Sequence, residues 1–342
     1  MKALVLEEYN RFAFKEVPDP HPGPGAVLIA VKACGICGSD VHGMDGSTGR
    51  RQPPIIMGHE AAGVIKEVGA DVEGWKPGQR VTFDSTIYCG TCWHCRRGEI
   101  NLCDDRRVLG VSCDEYRQDG AFAEYVAVPA RILYALPDGV DFPRATLVEA
   151  LSIAVHGVRR IPVELNDCAL VVGAGTIGLL AVQVLKAFGC NPVIAVDLDK
   201  GKLEWARRLG ADVAINSGDQ DVVREVHKYA SRGADVAVEA VGVAASIQDA
   251  IAALRKGGHL TLIGNLAPSV EFPLQSVVTR EIGVNGSCAS SGEYPTCLEL
   301  IGRGAVDVDA MISATAPLAE GATWFQRLYR GKSGLMKVVL IP

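Results

Sequence analysis

The chain has 342 residues, 48% hydrophobic and 22% charged, with a formal net charge of −6; this exceeds the roughly 100–200 residues of one domain, so two domains are expected. Acidic and basic residues are interspersed, which argues against the basic face that nucleic-acid binding requires, and no apolar run reaches the ~18 residues of a membrane helix. The amino terminus lacks a signal-peptide pattern, and eleven cysteines clustered at metal spacing fit a reducing compartment better than a disulfide framework, so a cytoplasmic protein is expected.

The first third reads as short strands separated by turns. ALVLEEYN and AVLIAVKAC flank a loop from Pro18 to Gly25, because proline and glycine break both helix and strand there. Residues 63–83, GVIKEVGADVEGWKPGQRVTF, continue the pattern, with Pro77–Gly78 marking a turn between two strands. The texture is β-rich with little helical periodicity, which predicts a compact barrel-like domain.

A cluster of metal-competent side chains lies within this region: Cys37, Asp40 and His42, then His59 and Glu60. Three protein ligands and an exchangeable position define a catalytic zinc. Taken singly, Cys37 or His59 is as well explained as an ordinary buried residue. His59 and Glu60 would point to opposite faces of a regular strand, so both can ligate only at a bend. Cys34 and Cys37 also form C-x-x-C, for which a redox pair is the alternative.

Next comes CGTCWHCRRGEINLC, with Cys89, Cys92, Cys95 and Cys103. Two-residue gaps fold back so that thiolates converge at ~2.3 Å from one ion. The pattern predicts a closed, four-thiolate structural zinc site; a pair of disulfides or unrelated thiols is the alternative.

From about Cys168 the texture changes to alternating strands and helices. CALVVGAG is an apolar strand, TIGLLAVQVLKAFG a helix closed by Gly189, PVIAVDLD a second strand and KLEWARRLGA a second helix. DVAVEAVG and HLTLIGN read as further strands, and the chain ends in the short strand MKVVLIP. This alternation implies a parallel sheet with helices on both faces, an α/β domain. Gly173, Gly175 and Gly178 form G-x-G-x-x-G where the first strand meets its helix. The first glycine permits the turn, the second admits a pyrophosphate and the third lets helix and strand pack closely. Thr176 and Ile177 open that helix, whose N-terminal N–H groups and dipole suit phosphate. Asp197, at the end of the second strand, can accept hydrogen bonds from both ribose hydroxyls and would repel a 2′-phosphate. NAD is therefore expected; the alternatives are a helix-capping role for Asp197, and NADP bound with Lys200 and Lys202.

Together CGICGSDVH, GHEAAGVIKEVG, the four-cysteine lobe, DGAFAEYV and VVGAGTIGLLAVQ resemble, in order and over nearly the whole chain, zinc-dependent medium-chain alcohol and polyol dehydrogenases. The resemblance is strongest to the sorbitol, galactitol-phosphate and threonine dehydrogenase branch. It implies a GroES-like catalytic domain over residues 1–152, a Rossmann domain over 153–287 and a return to the catalytic domain over 288–342. It also implies two zinc ions per chain, NAD, and a homodimer or homotetramer. By the same resemblance, Cys37, His59 and Glu60 are catalytic zinc ligands, and Glu149 ligates the zinc or holds its water. Ser39 and His42 form the proton relay, and Asp40 partners the histidine ligand. Lys202 lies near the adenosine ribose, while Ile263, Gly264 and Asn265, with Ser287, Cys288 and Ala289, line the nicotinamide.

The expected reaction is hydride transfer from a secondary alcohol of a polyol or sugar derivative to NAD, giving a ketone. A bound zinc acidifies the alcohol, and Ser39 and His42 carry its proton away. Three departures bear on the substrate. Ala150 replaces the usual proline after Glu149, Gly43 stands where sorbitol dehydrogenases carry a tyrosine, and Ala289 stands where they carry an arginine. The loop GMDGSTGRRQPP offers Arg50 and Arg51, which could hold a carboxylate or phosphate or be solvated loop charges. An anionic sugar derivative or L-threonine is thus the alternative substrate. A non-enzymatic zinc-ribbon interaction protein is the alternative class.

Overall fold

The computed structural model describes every residue except 114–115 and 332–333. The chain forms two compact units: Met1–Glu149 with Tyr294–Gly302 and Val308–Pro342, and Ala150–Glu293 with Arg303–Asp307. The divisions expected after residues 152 and 287 fall after 149 and 293, and residues 303–307 return briefly to the second unit.

The first unit is built on a seven-stranded sheet. Its order is Leu133–Ala135, Arg80–Phe83, Glu60–Val68, Ala26–Gly35, Lys337–Ile341 and Ile312–Pro317, with Tyr125–Pro129 also paired to Ala26–Gly35. Ala26–Gly35 is central because it is apolar enough to be covered on both faces; Val27, Ile29, Ala33 and Cys34 are fully buried. Register then fixes what its end presents. Gly35 pairs with Glu60 on one side and with Val339 of the carboxyl-terminal strand on the other. Three segments far apart in sequence thus meet at one end of this sheet.

The second unit is a six-stranded, wholly parallel sheet. Numbered along the chain from Ala169–Val172, its strands lie in the order 3-2-1-4-5-6, with Gly283–Gly286 at one edge and Val213–Asn216 at the other. That order belongs to dinucleotide-binding folds. The run ALVV is buried at every position, as a strand sandwiched between helix layers must be. The helix Thr176–Ala187 follows it directly. The sequence reading anticipated the strands Ala169–Val172, Val193–Asp197, Ala234–Glu239 and Leu254–Leu262 and the helix Thr176–Ala187, but neither edge strand, Val213–Asn216 or Gly283–Gly286, nor the helix Leu147–Arg159. Each edge strand spans only four residues and lacks the unbroken apolar run that marks ALVV. Among the described residues, no helix is long and apolar enough to cross a membrane.

Candidate metal and cofactor sites

The bend that adjacent ligands require begins at Gly58. Its φ of +96° is in the left-handed region, and a Cβ there would lie 2.9 Å from both the Phe122 backbone nitrogen and Cys34 Sγ. His59 follows the bend and Glu60 opens the strand Glu60–Val68. Cys37 caps the short helix Gly38–Gly43. Ligand atoms of Cys37, His59 and Glu60 lie within 4.8 Å of one another. Ser39 and His42, three apart on that helix and both exposed, share a face.

Buried charges surround this cluster. Asp40 is fully buried; its Oδ1 accepts from Arg51 Nη2 at 2.8 Å, and its Oδ2 lies 3.5 Å from His59 Nδ1. That second separation is an ion-pair distance, too long for a good hydrogen bond. Burial alone would raise the Asp40 pKa, but His59 and Arg51 override it and hold the carboxyl well below its usual range. Burial likewise opposes charge on His59, yet Asp40 and Cys37 carry its pKa well above the ordinary value. With Nδ1 turned to Asp40, the ring's other nitrogen is left for the cluster. Glu60 is gripped by Lys337, whose Nζ donates to Oε1 at 2.7 Å, to Oε2 at 2.6 Å and to the Ile36 carbonyl at 3.3 Å. Glu60 and Lys337 are 0% and 1% exposed.

Glu149 lies outside the three-residue set. Its Oε1 accepts from Ser85 Oγ at 3.1 Å. Burial raises its pKa, His59 pulls the other way and Glu60 adds to the rise. The pair of loop arginines does not present a pair of cations. Arg50 is exposed, but Arg51 is 3% exposed and engaged by Asp40, because the buried carboxylate attracts the guanidinium more strongly than solvent does. Lys337 is the participant that sequence reasoning missed, and Arg51 the one it placed in an open loop. A lysine opening the otherwise apolar strand KVVLI was the one available sign.

The four-cysteine lobe is organised around its sulfur atoms. All four Sγ atoms of Cys89, Cys92, Cys95 and Cys103 lie within 4.8 Å of one another. Backbone N–H groups point at them: Cys89 N to Cys103 Sγ at 3.2 Å, Cys92 N to Cys89 Sγ at 3.3 Å and Cys95 N to Cys92 Sγ at 3.5 Å. Donors from Thr91 and Cys92 stabilise the Cys89 thiolate and lower its pKa to about 6. No disulfide is formed among the described residues.

In the parallel-sheet unit, Gly173 turns with φ +98°, and a Cβ on Gly178 would collide with the Gly173 carbonyl oxygen, whereas one on Gly175 would meet nothing. Gly173 and Gly178 are required by the fold for different reasons, and Gly175 leaves open space where the helix begins. Asp197 closes the second strand; its Oδ2 accepts from Ala174 N at 2.7 Å and its Oδ1 from Asp199 N at 2.9 Å. The carboxylate is therefore anchored to the glycine turn. Lys200 is paired with Asp219 at 2.8 Å, and Lys202 is exposed. Ile263 and Gly264 N–H groups both donate to the Glu239 carbonyl, and Ser287 N donates to Leu262 O. Ile263–Asn265 and Ser287–Ala289 thus follow neighbouring strands at the carboxyl edge of the sheet, beyond which ligands of such folds bind.

The donor sets suit zinc: four thiolates in one case, and in the other a thiolate and an imidazole with a carboxylate in reach. Residues 23–138 match the family model for the alcohol dehydrogenase GroES-like domain and residues 176–303 that for zinc-binding dehydrogenase. A sorbitol dehydrogenase of Bacillus subtilis (strain 168) is 33% identical, the alignment covering 100% of this chain and 97% of that protein. The alcohol dehydrogenase TADH of Thermus sp. ATN1 superimposes with a TM-score of 0.94 at 32% identity, over 100% of this chain and 99% of that one. An alcohol dehydrogenase of Escherichia coli CFT073, solved with NADH, gives 0.92 at 30% identity, over 100% and 99%. The chain belongs to the zinc-binding alcohol dehydrogenase family, with a GroES-like domain joined to a Rossmann domain.

Proposed function

We propose that the protein is an NAD-dependent zinc dehydrogenase that oxidises a secondary alcohol of a polyol or sugar-derived substrate to the ketone. The observation that carries this reading is the cluster of Cys37, His59 and Glu60 beside the exposed face of Ser39 and His42. Cys37 and His59 would hold the catalytic zinc, with Glu60 and Glu149 behind it, and the four cysteines a structural zinc. A bound zinc supplies Lewis-acid polarisation of the alcohol oxygen. Ser39 would take the hydroxyl proton and His42 pass it to solvent, and a bound nicotinamide would supply the acceptor for the carbinol hydrogen with its electron pair. Gly173–Gly178 cradle the pyrophosphate, Asp197 accepts from the adenosine ribose beside Lys202, and Ile263–Asn265 with Ser287–Ala289 flank the nicotinamide. The likeness to a sorbitol dehydrogenase supports a polyol. The anionic alternative is weakened because Arg51 faces inward, which leaves Arg50 as the one exposed cation of that pair. Thiolate sites also suit a reducing cytoplasm, and a homodimer or homotetramer is the expected assembly.

The test is NADH formation, followed by absorbance, across a panel of polyols, simple secondary alcohols, sugar acids, sugar phosphates and threonine. Turnover of neutral polyols in preference to the charged members supports the reading; turnover confined to charged members overturns it. Arg50→Ala should change neither class by more than about twofold, the scale of an exposed loop charge.

A further inference from the structure

Between the metal cluster and the loop that covers its helix lies an ion pair whose geometry exceeds what a stabilising contact needs. The Arg51 guanidinium is buried and donates through Nη2 to Asp40 Oδ1 at 2.8 Å and to Ser39 Oγ at 3.4 Å, and through Nη1 to the Arg50 carbonyl at 3.3 Å. Its Nε has no partner among the described residues. A buried arginine with an unused donor is an expensive way to stabilise a loop, since burying charge costs several kcal/mol before pairing returns any of it. The Asp40 oxygen that Arg51 leaves aside faces His59 Nδ1 at 3.5 Å. The chain Arg51–Asp40–His59 therefore runs from the loop into the metal cluster.

Gly43 explains how the arginine fits. A Cβ at Gly43 would lie 2.6 Å from Arg51 Cγ and 3.6 Å from Arg51 Cβ, so any side chain there would displace the arginine stem. Gly43 ends the same helix that carries Ser39 and His42. A guanidinium can only donate. Its contact with Ser39 therefore occupies an acceptor lone pair and turns the serine hydroxyl hydrogen away from Arg51.

We propose that Gly43 and Arg51 form a matched pair in which the missing side chain admits the arginine, and that Arg51 is a positioning residue. Acting through Asp40, it fixes the His59 ring for the metal, and by direct contact it fixes the direction of the Ser39 hydroxyl. The proposal rests on the zinc-site reading above, and its test is read on the metal so that the two can fail separately.

The experiment uses the full-length holoprotein, with cobalt(II) exchanged into the labile site, in Arg51→Lys, Arg51→Met, Gly43→Ala and the Gly43→Ala/Arg51→Met double variant. Outer-shell partners of metal-ligating histidines are worth about 10–100-fold in affinity. Arg51→Met and Gly43→Ala should each speed metal release to a chelator by roughly tenfold or more and shift the cobalt visible bands. Arg51→Lys, which keeps the charge but loses the fork, should fall between them and the wild type. The double variant should match Arg51→Met alone, because a displaced methionine stem carries no guanidinium contact to lose. Wild-type release and spectrum in Gly43→Ala and Arg51→Met would overturn the proposal, as would effects that simply add. A lowered Tm with an unchanged cobalt spectrum would also overturn it, marking Arg51 as structural only. If these metal readouts shift as expected while no alcohol is oxidised, the positioning role stands and the assigned reaction fails.

Discussion

The four-cysteine lobe and the Cys37–His59–Glu60 pocket are both zinc-competent, and they are built by opposite means. The lobe is local: its ligands come from one short stretch, its helix Trp93–Arg96 buries no residue, and its N–H groups converge on sulfur rather than on a core. The pocket is non-local: Cys37, His59 and Lys337 arrive on separate segments, set in register by a buried sheet, with charges that are 0–6% exposed at Asp40, Glu60, Lys337 and His59. A lobe held by its sulfurs should depend on metal for its fold. A pocket held by strands and ion pairs should keep its shape and depend on metal only for its chemistry.

The widest separation between them should come from single ligand replacements. Cys37→Ser should lower turnover at least ~10³-fold, since Lewis-acid stabilisation is worth several kcal/mol, while far-UV circular dichroism and protease resistance stay as in the wild type. Cys92→Ser should instead open the lobe to proteolysis near Trp93, which is 61% exposed. Metal analysis after mild chelation should show about half the zinc gone and the four-thiolate half retained. Global unfolding of Cys37→Ser, with an intact lobe in Cys92→Ser, would invert the comparison.

The ion pairs behind the pocket carry the next largest effect. Lys337→Met leaves the Glu60 carboxylate buried without its partner, which costs roughly 3–5 kcal/mol, whereas no single exposed charge of the lobe carries more than about 1. Adding Glu60→Gln should recover most of that loss, because the uncompensated charge is gone. Chemical denaturation of the two variants measures it. If Lys337→Met alone is neutral, the pocket is not held by these charges.

The same contrast explains what was legible beforehand. The convergence of the four cysteines could be read from spacing, because three of the thiols are only two residues apart and meet whatever the rest of the fold does. The glycine turn at Gly173–Gly178 was legible for a similar reason: strand, turn and helix are contiguous, and a carboxylate at the next strand end reaches back to Ala174. Lys337 was not legible as a partner of Glu60, since their pairing depends on a carboxyl-terminal strand adding to Ala26–Gly35 in one register. Arg51 was read as a loop cation, either holding an anion or solvated, because nothing local marks Gly43 as the hole it fills. Sequence spacing reports ligands; the counter-charges that tune them come from register.

A third effect should be smaller and leave both zinc regions untouched. Asp197→Ala removes the acceptor at the ribose position, so NAD affinity should fall about tenfold, or about 1.4 kcal/mol, and discrimination against NADP should relax. Zinc content and cobalt spectra should not move. Wild-type protein that already uses NADP at least as well as NAD would remove Asp197 from this role.

The smallest effect comes from a buried carboxylate in the Rossmann unit, and it isolates what such a pair contributes by itself. Glu293 is 3% exposed; its Oε1 lies 2.9 Å from His156 Nδ1 and 3.5 Å from Arg159 Nη1. Burial would raise its pKa, but the hydrogen bond with His156 and a backbone N–H from Ser291 lower it below the ordinary glutamate value. A carboxyl whose folded pKa lies below its unfolded one stabilises the fold above the unfolded value of ~4.3, and that contribution is lost as pH falls through the folded value. Thermal melts of wild type and Glu293→Gln should therefore differ by a few °C at pH 7 and 5.5, matching about 1 kcal/mol. The gap should close as the pH is lowered toward 3.5. A gap that stays constant or widens in acid would show that the pair is held by shape rather than by charge.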